Sequence, residues 1–164
     1  MMIKKTIYGL LLCAALAFCL YATPSANAAS AEEEVLQVMT NWFKAYNTNN
    51  ADLMASLYWN SPKLTAFCPD LSSAFLIQGW ELNAAGWKPI EKDPIGTYVN
   101  KPSHIQVTML TENVAIITGY NTETYTEPTT KAQSIYHVRG TFVVQKIDGK
   151  WLIVHEHSSV LPVK

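Results

Sequence analysis

The chain has 164 residues and a formal net charge of −1, from 12 basic and 13 acidic side chains. This length corresponds to one domain. Such a balanced charge offers no basic surface for nucleic acid or for an anionic membrane, so neither partner class is expected.

The first 28 residues have the composition of a secretory signal peptide. Two lysines precede an apolar run over residues 7–22, and the small-residue triplet Ala26-Asn27-Ala28 follows. A basic start, an apolar centre and an A-x-A exit are typical of export signals. We predict cleavage after Ala28, which would leave a mature domain of residues 29–164 in the periplasm or outside the cell.

Two other interpretations of this segment stay open. A membrane anchor is one, although the apolar run is short for a span of about 20 residues. Lipidation at Cys19 is the other, although bulky Phe18 precedes it. After cleavage, Cys68 is the single cysteine, which excludes an internal disulfide and favours a half-buried thiol over a catalytic nucleophile.

Helical patterns dominate the first half of the mature chain. Ser30 and Glu33 have the S-x-x-E spacing of a capping box, and Asn50 is placed to cap a second helix. Apolar residues recur at helical intervals after each cap. We predict three helices, over residues 31–46, 51–57 and 79–87.

The second half has the pattern of strands. Asp148-Gly149 is a two-residue hairpin signal, because both residues tolerate positive φ. Residues 68–78 and the Pro- and Gly-containing stretch ending at Pro102 are predicted to be irregular. We predict five strands, over residues 63–67, 104–110, 114–125, 133–147 and 151–160. Helices followed by antiparallel strands indicate an α+β domain.

The last hairpin resembles that of SnoaL-like domains in the nuclear transport factor 2-like superfamily. The resemblance rests on residues 148–151 (DGKW), followed by Val154-His155, His157 and Ser159. Residues 139–142 (RGTF) match a weaker pattern of the same family. The hairpin is also similar to the association domain of calmodulin-dependent kinase II.

This resemblance implies a cone-shaped, curved antiparallel sheet wrapped by three N-terminal helices, with a pocket inside. The superfamily includes ketosteroid isomerase, scytalone dehydratase and polyketide cyclases, together with members that have no known reaction. Two functions therefore stay open. One is binding of a small apolar organic molecule, with isomerase, cyclase or dehydratase-type proton transfer. The other is a non-catalytic oligomerising or partner-binding module. No cofactor is indicated.

Strict alternation along the last strand places Trp151, His155 and His157 on one face. A two-residue turn would set His155 opposite Phe142 and His157 opposite Gly140. The resemblance suggests that this face lines the pocket, so we predict His155 and His157 as its catalytic residues.

The histidine pair admits three interpretations. The two side chains could chelate a metal with His104 or His137, but no further ligand motif is present, and we predict no metal site. They could transfer protons, with Asp70 or Tyr120 as a partner. They could instead be hydrogen-bonded polar groups that line a pocket without chemistry.

Arg139 could hold a ligand carboxylate or pair with Glu156 across the hairpin. Aromatic side chains supply the apolar part of the predicted pocket. The predicted ligand-binding residues are Trp42, Tyr46, Phe67, Trp80, Tyr120, Phe142 and Arg139. The opposite face, with Val143, Leu152 and Val154, is also apolar and needs cover, which predicts a homodimer or a higher homo-oligomer.

Overall fold

The structure is a computed structural model that describes residues 29–68, 76–81 and 96–162. The predicted signal peptide and Asp70 lie outside these residues. Most of the predicted third helix does too; of its described residues, Gly79 is a bend, and Trp80 and Glu81 are helical. No helix within the described ranges is long and apolar enough to cross a membrane.

Two helices precede the sheet, α1 at Ala31–Asn47 and α2 at Ala51–Ser56. The predicted capping box is formed, because Glu33 N donates to Ser30 Oγ at 3.2 Å and Ser30 N donates to Glu33 Oε2 at 2.6 Å. Asn50 caps α2 through its side chain. Both helices therefore begin where the sequence predicts.

Six strands form one sheet in the order β2-β1-β6-β5-β4-β3. The strands are β1 Thr65–Phe67, β2 Leu76–Gln78, β3 Thr97–Thr111, β4 Val114–Thr126, β5 Gln133–Ile147 and β6 Lys150–Val160. The α+β class is confirmed. The sheet is mixed and not wholly antiparallel as expected, because β1 pairs parallel to β6.

Two strand predictions are wrong. Strand β2 lies within residues 68–78, which were predicted to be irregular, and β3 begins at Thr97 instead of residue 104. Pro102 suggested a loop, yet it lies inside β3 opposite Asn121. Strand β3 is at the edge of the sheet, where a residue without an N–H is tolerated.

The β5–β6 turn is the predicted hairpin, with φ of 50° at Asp148 and 78° at Gly149. Next to the turn, Trp151 pairs with Lys146 and Ile153 with Val144, as expected from a two-residue turn. The helices pack on one face of this sheet, which we call the inner face. The strand residues of this face that belong to the main hydrophobic core are Ala115, Ile117, Phe142, Val144, Trp151 and Ile153.

Helix α1 is fastened to the sheet at both ends. Near its start, Glu34 Oε2 accepts from Lys146 Nζ at 2.7 Å and from Trp151 Nε1 at 2.9 Å. At its end, Asn47 Nδ2 donates to the Asn100 carbonyl at 3.0 Å and Asn47 Oδ1 accepts from the Asn100 N–H at 2.7 Å. These contacts hold the helix across the inner face.

Candidate functional site

A β-bulge in β6 decides which side chains reach the space under α1. Ile153 pairs with Val144, but His155 pairs with the next residue, Val143, so Val154 is an extra residue on β6. Such an insertion exchanges the two faces of a strand beyond the bulge. Glu156 therefore pairs with Phe142 on the inner face.

The two predicted catalytic histidines lie on the opposite, outer face. The expected register, His155 opposite Phe142 and His157 opposite Gly140, is wrong because of the bulge, and His157 pairs with Thr141. The catalytic role of the two histidines stays a prediction, but their side chains do not face the space under α1.

The surroundings of His155 are those of a packed side chain. Its Nδ1 lies 2.7 Å from Thr65 Oγ1, and the Phe67 ring packs edge-on against both His155 and His157. Burial lowers the pKa of His155, and the charge of His157 lowers it further. His155 is thus biased toward its neutral form.

Arg139 is also on the outer face, together with His104, Tyr120, His157 and Ser159. These side chains line one open groove. Arg139 Nε donates to Ser159 Oγ at 3.0 Å. The alternative pairing of Arg139 with Glu156 is wrong, because the bulge moves Glu156 to the other face.

A cavity lies between α1 and the inner face, with a volume of about 50 Å³. One water needs about 10–15 Å³, so the cavity has room for a small molecule or several waters. Aromatic and aliphatic side chains form most of its wall. The apolar lining is Met39, Trp42, Phe43, Tyr46, Ile105, Ile117, Val138 and Phe142.

Of the predicted ligand-binding residues, Trp42, Tyr46 and Phe142 line this cavity. Phe67 is on the outer face beside the histidines, with 42% of its surface exposed. Tyr120 stands at the edge of the cavity, but its ring packs against His104 on the outer side. Trp80 packs against the hydrophobic core. Whether any of them binds a ligand stays a prediction.

Glu156 is the most buried acid of the site, with 2% of its surface exposed. The Tyr58 hydroxyl donates to its Oε2, and Ser158 Oγ donates to its Oε1 at 3.0 Å. Tyr58 in turn accepts from Trp42 Nε1 at 2.8 Å. Both carboxylate oxygens are therefore held in place by donors.

Tyr58 can act only as a donor toward Glu156. Burial raises the pKa of its hydroxyl well above the ordinary value, and the Glu156 charge raises it further. The hydroxyl therefore keeps its proton throughout the physiological pH range.

A second polar group lines the cavity on β3 and β4. Asn121 Nδ2 donates to Asn100 Oδ1, and Glu123 lies opposite Asn100 in the strand register. Asn100 and Glu123 are buried, with 3% and 5% of their surfaces exposed. The cavity thus combines an apolar wall with two carboxylates and two amides.

Sequence reasoning missed Glu156, Tyr58, Asn100 and Glu123. Glu123 could have been found, because it is in phase with Ala115 and other buried residues of β4. Glu156 could not, because nothing in the run from Trp151 to Val154 marks the extra residue.

Charge is divided between the two faces. Among its described lining residues, the cavity has Glu123 and Glu156 and no lysine, arginine or histidine. The outer groove has His104, Arg139 and His157, and no carboxylate among the residues that line it. Within the described ranges, no three His, Cys, Asp or Glu side chains come together as a metal site.

Comparison with known proteins identifies a family model, the SnoaL-like domain, that matches residues 35–164. Among curated proteins, none matches the sequence. A Xanthomonas campestris protein provisionally named a calcium/calmodulin-dependent protein kinase II association domain is 26% identical, with a TM-score of 0.67 over 87% of this chain and 95% of that one.

Two further solved structures share the fold at low identity. A provisionally named dehydratase of the NTF2-like family from Streptomyces avermitilis is 13% identical, with a TM-score of 0.70 over 81% of this chain and 97% of that one. A hexachlorocyclohexane dehydrochlorinase is 10% identical, with a TM-score of 0.65 over 80% of this chain and 87% of that one. At these identities the likeness concerns the fold alone.

Proposed function

We propose, from the premise that the chain belongs to the SnoaL-like domain family, that it binds a small organic molecule in the inner cavity and transfers a proton there. The family match confirms the resemblance predicted from the last hairpin. Glu156 carries the proposal, because it is a buried carboxylate fixed by two donors at the wall of an apolar cavity. An export signal in residues 1–28 would place this activity outside the cytoplasm.

The chemistry that suits Glu156 is general base catalysis. A carboxylate can remove a proton from carbon when that carbon is acidified by a neighbouring carbonyl, and the electron pair then passes to the carbonyl oxygen. Tyr58 and Ser158 hold the carboxylate in one orientation, so little reorganisation accompanies the transfer. Isomerisation of an enone, aldol-type cyclisation and dehydration of a β-hydroxy carbonyl compound can each begin with such a step.

The names of the structural neighbours agree with this class, since dehydration and dehydrochlorination are both eliminations that need a base. Their identities to this chain are too low to transfer a reaction. The proposal therefore depends on Glu156 and its surroundings, not on the neighbours.

The test is hydrogen–deuterium exchange at the α-carbon of cyclopentanone in D₂O, followed by proton NMR. We expect the wild-type protein to exceed the buffer rate and Glu156→Gln to lower the protein-dependent rate by about 100-fold or more, the usual contribution of general base catalysis. Glu112→Gln makes the same change at an exposed glutamate in the turn between β3 and β4, so it is the matched control and should keep the wild-type rate. Equal rates for wild type and Glu156→Gln would refute the catalytic role.

Native mass spectrometry of the protein purified from its own host is the second arm of this test. A co-purifying small molecule that is lost on Glu156→Gln or on mild acidification would identify the chemical class to assay.

The alternative function is an oligomerising module, and the outer face of the sheet favours it. Both described helices pack on the inner face, while Val143, Leu152 and Val154 are only half-buried on the outer one. Tyr120 and Ile135 leave 48% and 60% of their surfaces exposed there. Self-association of two outer faces would cover these residues, and this interface is compatible with a functional inner cavity.

A further inference from the structure

We propose that the inner cavity selects an uncharged ligand that carries a hydrogen-bond acceptor, such as a small ketone, and that Asn100 Nδ2 donates to that acceptor. This inference rests on the proposed function, because it names the ligand class of the same cavity. The argument starts from a buried donor and continues with the charge of the cavity wall.

Asn100 is held in place by contacts that leave its side-chain N–H groups unused. Its backbone N–H and carbonyl pair with the Asn47 side chain at 2.7 and 3.0 Å, and its Oδ1 accepts from Asn121. Within the described part of the chain, Asn100 Nδ2 is the one buried side-chain nitrogen or oxygen without a hydrogen-bond partner. Buried polar groups are almost always paired, so this donor points to a missing acceptor.

The charge of the wall limits what the acceptor can belong to. Glu123 and Glu156 line the cavity and are buried, and no described lining residue is cationic. A carboxylate or phosphate would lose its hydration in this low-dielectric space and would gain no cationic partner there. An ammonium group would be attracted but has no acceptor for Asn100. An uncharged carbonyl compound has no charge to desolvate and offers an acceptor to Asn100. Its apolar body fits the wall of Trp42 and Phe142.

The experiment compares four probes with the same ring and different polar groups: cyclopentanone, cyclopentane, cyclopentylammonium and cyclopentanecarboxylate. Binding to the wild-type protein is measured by NMR titration. We expect cyclopentanone to bind about tenfold more tightly than cyclopentane, the effect of one hydrogen bond to a buried donor. Cyclopentylammonium, which offers no acceptor to Asn100, should bind more weakly than the ketone, and cyclopentanecarboxylate should bind most weakly.

Asn100→Leu removes the donor at similar size and should reduce the ketone-to-hydrocarbon ratio to about one. The Asn47 contacts are made to the Asn100 backbone, so they do not depend on this side chain. Asn100→Asp keeps an acceptor for Asn121 but no donor, and it should lose ketone binding even if the leucine variant folds poorly. Gln106→Leu, on the outer groove, is the control and should keep the ratio.

A ratio that stays at the wild-type value in Asn100→Leu and Asn100→Asp overturns the inference, as does tightest binding of the carboxylate. Failure of ketone binding to the wild-type protein also overturns it. These outcomes are distinguishable from failure of the proposed catalysis. If Glu156→Gln leaves α-carbon exchange unchanged while ketone selectivity still depends on Asn100, the base is wrong and the ligand class stands.

Discussion

The two faces of the same sheet differ in every property that bears on function. The inner face packs against α1, buries its apolar residues and places two carboxylates in a cavity. The outer face carries histidines, Arg139 and partly exposed apolar side chains. The difference shows that position along a strand does not assign a residue to a face when a bulge lies between it and the turn.

Deletion of Val154 should have the largest effect on the difference between the two faces. Removal of the extra residue would restore strict alternation, bringing His155 and His157 to the inner face and carrying Glu156 outward. Two imidazoles would then enter a core without partners, and Tyr58 would lose its acceptor. We expect a loss of about 3 kcal/mol or more in the free energy of unfolding, measured by urea denaturation.

Val154→Ala keeps the chain length and serves as the control for this deletion. It should cost about 1 kcal/mol, since Val154 is only half-buried. If the deletion variant unfolds at the same urea concentration as Val154→Ala, the bulge does not determine which side chains face the core.

A charge on the outer face tests whether that face is covered by a second copy of the chain. Tyr120→Asp places a carboxylate on β4, one strand in from the edge of the sheet, where the symmetric partner would bring a like charge. We expect the dissociation constant of the oligomer to rise at least tenfold, measured by light scattering over a dilution series.

Leu36→Asp is the matched control, because Leu36 is an exposed apolar residue of α1 on the solvent side. It should leave the mass distribution unchanged. If the wild-type protein is monomeric at all concentrations, the predicted interface on the outer face does not exist.

The smallest expected effect is a pH dependence from His155. Its pKa is lowered in the folded chain, so protonation favours the unfolded state. The stability it supports is complete above the unfolded pKa of about 6.5 and is lost as the pH falls toward the lower, folded value. We expect His155→Gln to flatten the decline of stability below about pH 6.5 in urea unfolding curves.

His137→Gln is the control for this pH series, because His137 lies on the outer face of β5 and pairs in the sheet with Thr122, away from His155. It should keep the wild-type slope. A His155→Gln curve parallel to wild type would show that burial of His155 does not influence its protonation.

Local signals in the sequence were sufficient for much of the fold. The capping box at Ser30 and the positive-φ turn at Asp148 each act within a few residues, and both were predicted correctly. The start of β3 depends on pairing with β4, which no local signal marks, so the sequence before Pro102 predicts a loop.

The candidate site was less predictable, because its residues are brought together by contacts between distant parts of the chain. Trp42 and Phe142 were expected near a pocket, because periodicity places each on an apolar face and the family resemblance implies a pocket there. Glu156 was placed outward by strict alternation, which holds only up to the bulge. The unpaired amide of Asn100 emerges only from three-dimensional contacts with Asn47 and Asn121.

The single extra residue at Val154 also has an evolutionary consequence. An insertion or deletion at this point would replace the whole lining contributed by the last strand in one event, without any substitution. Related proteins that share the His-x-His sequence can therefore differ in what their cavities contain, depending on whether they share the bulge. Alignments of this strand should be anchored on the backbone register before its residues are compared.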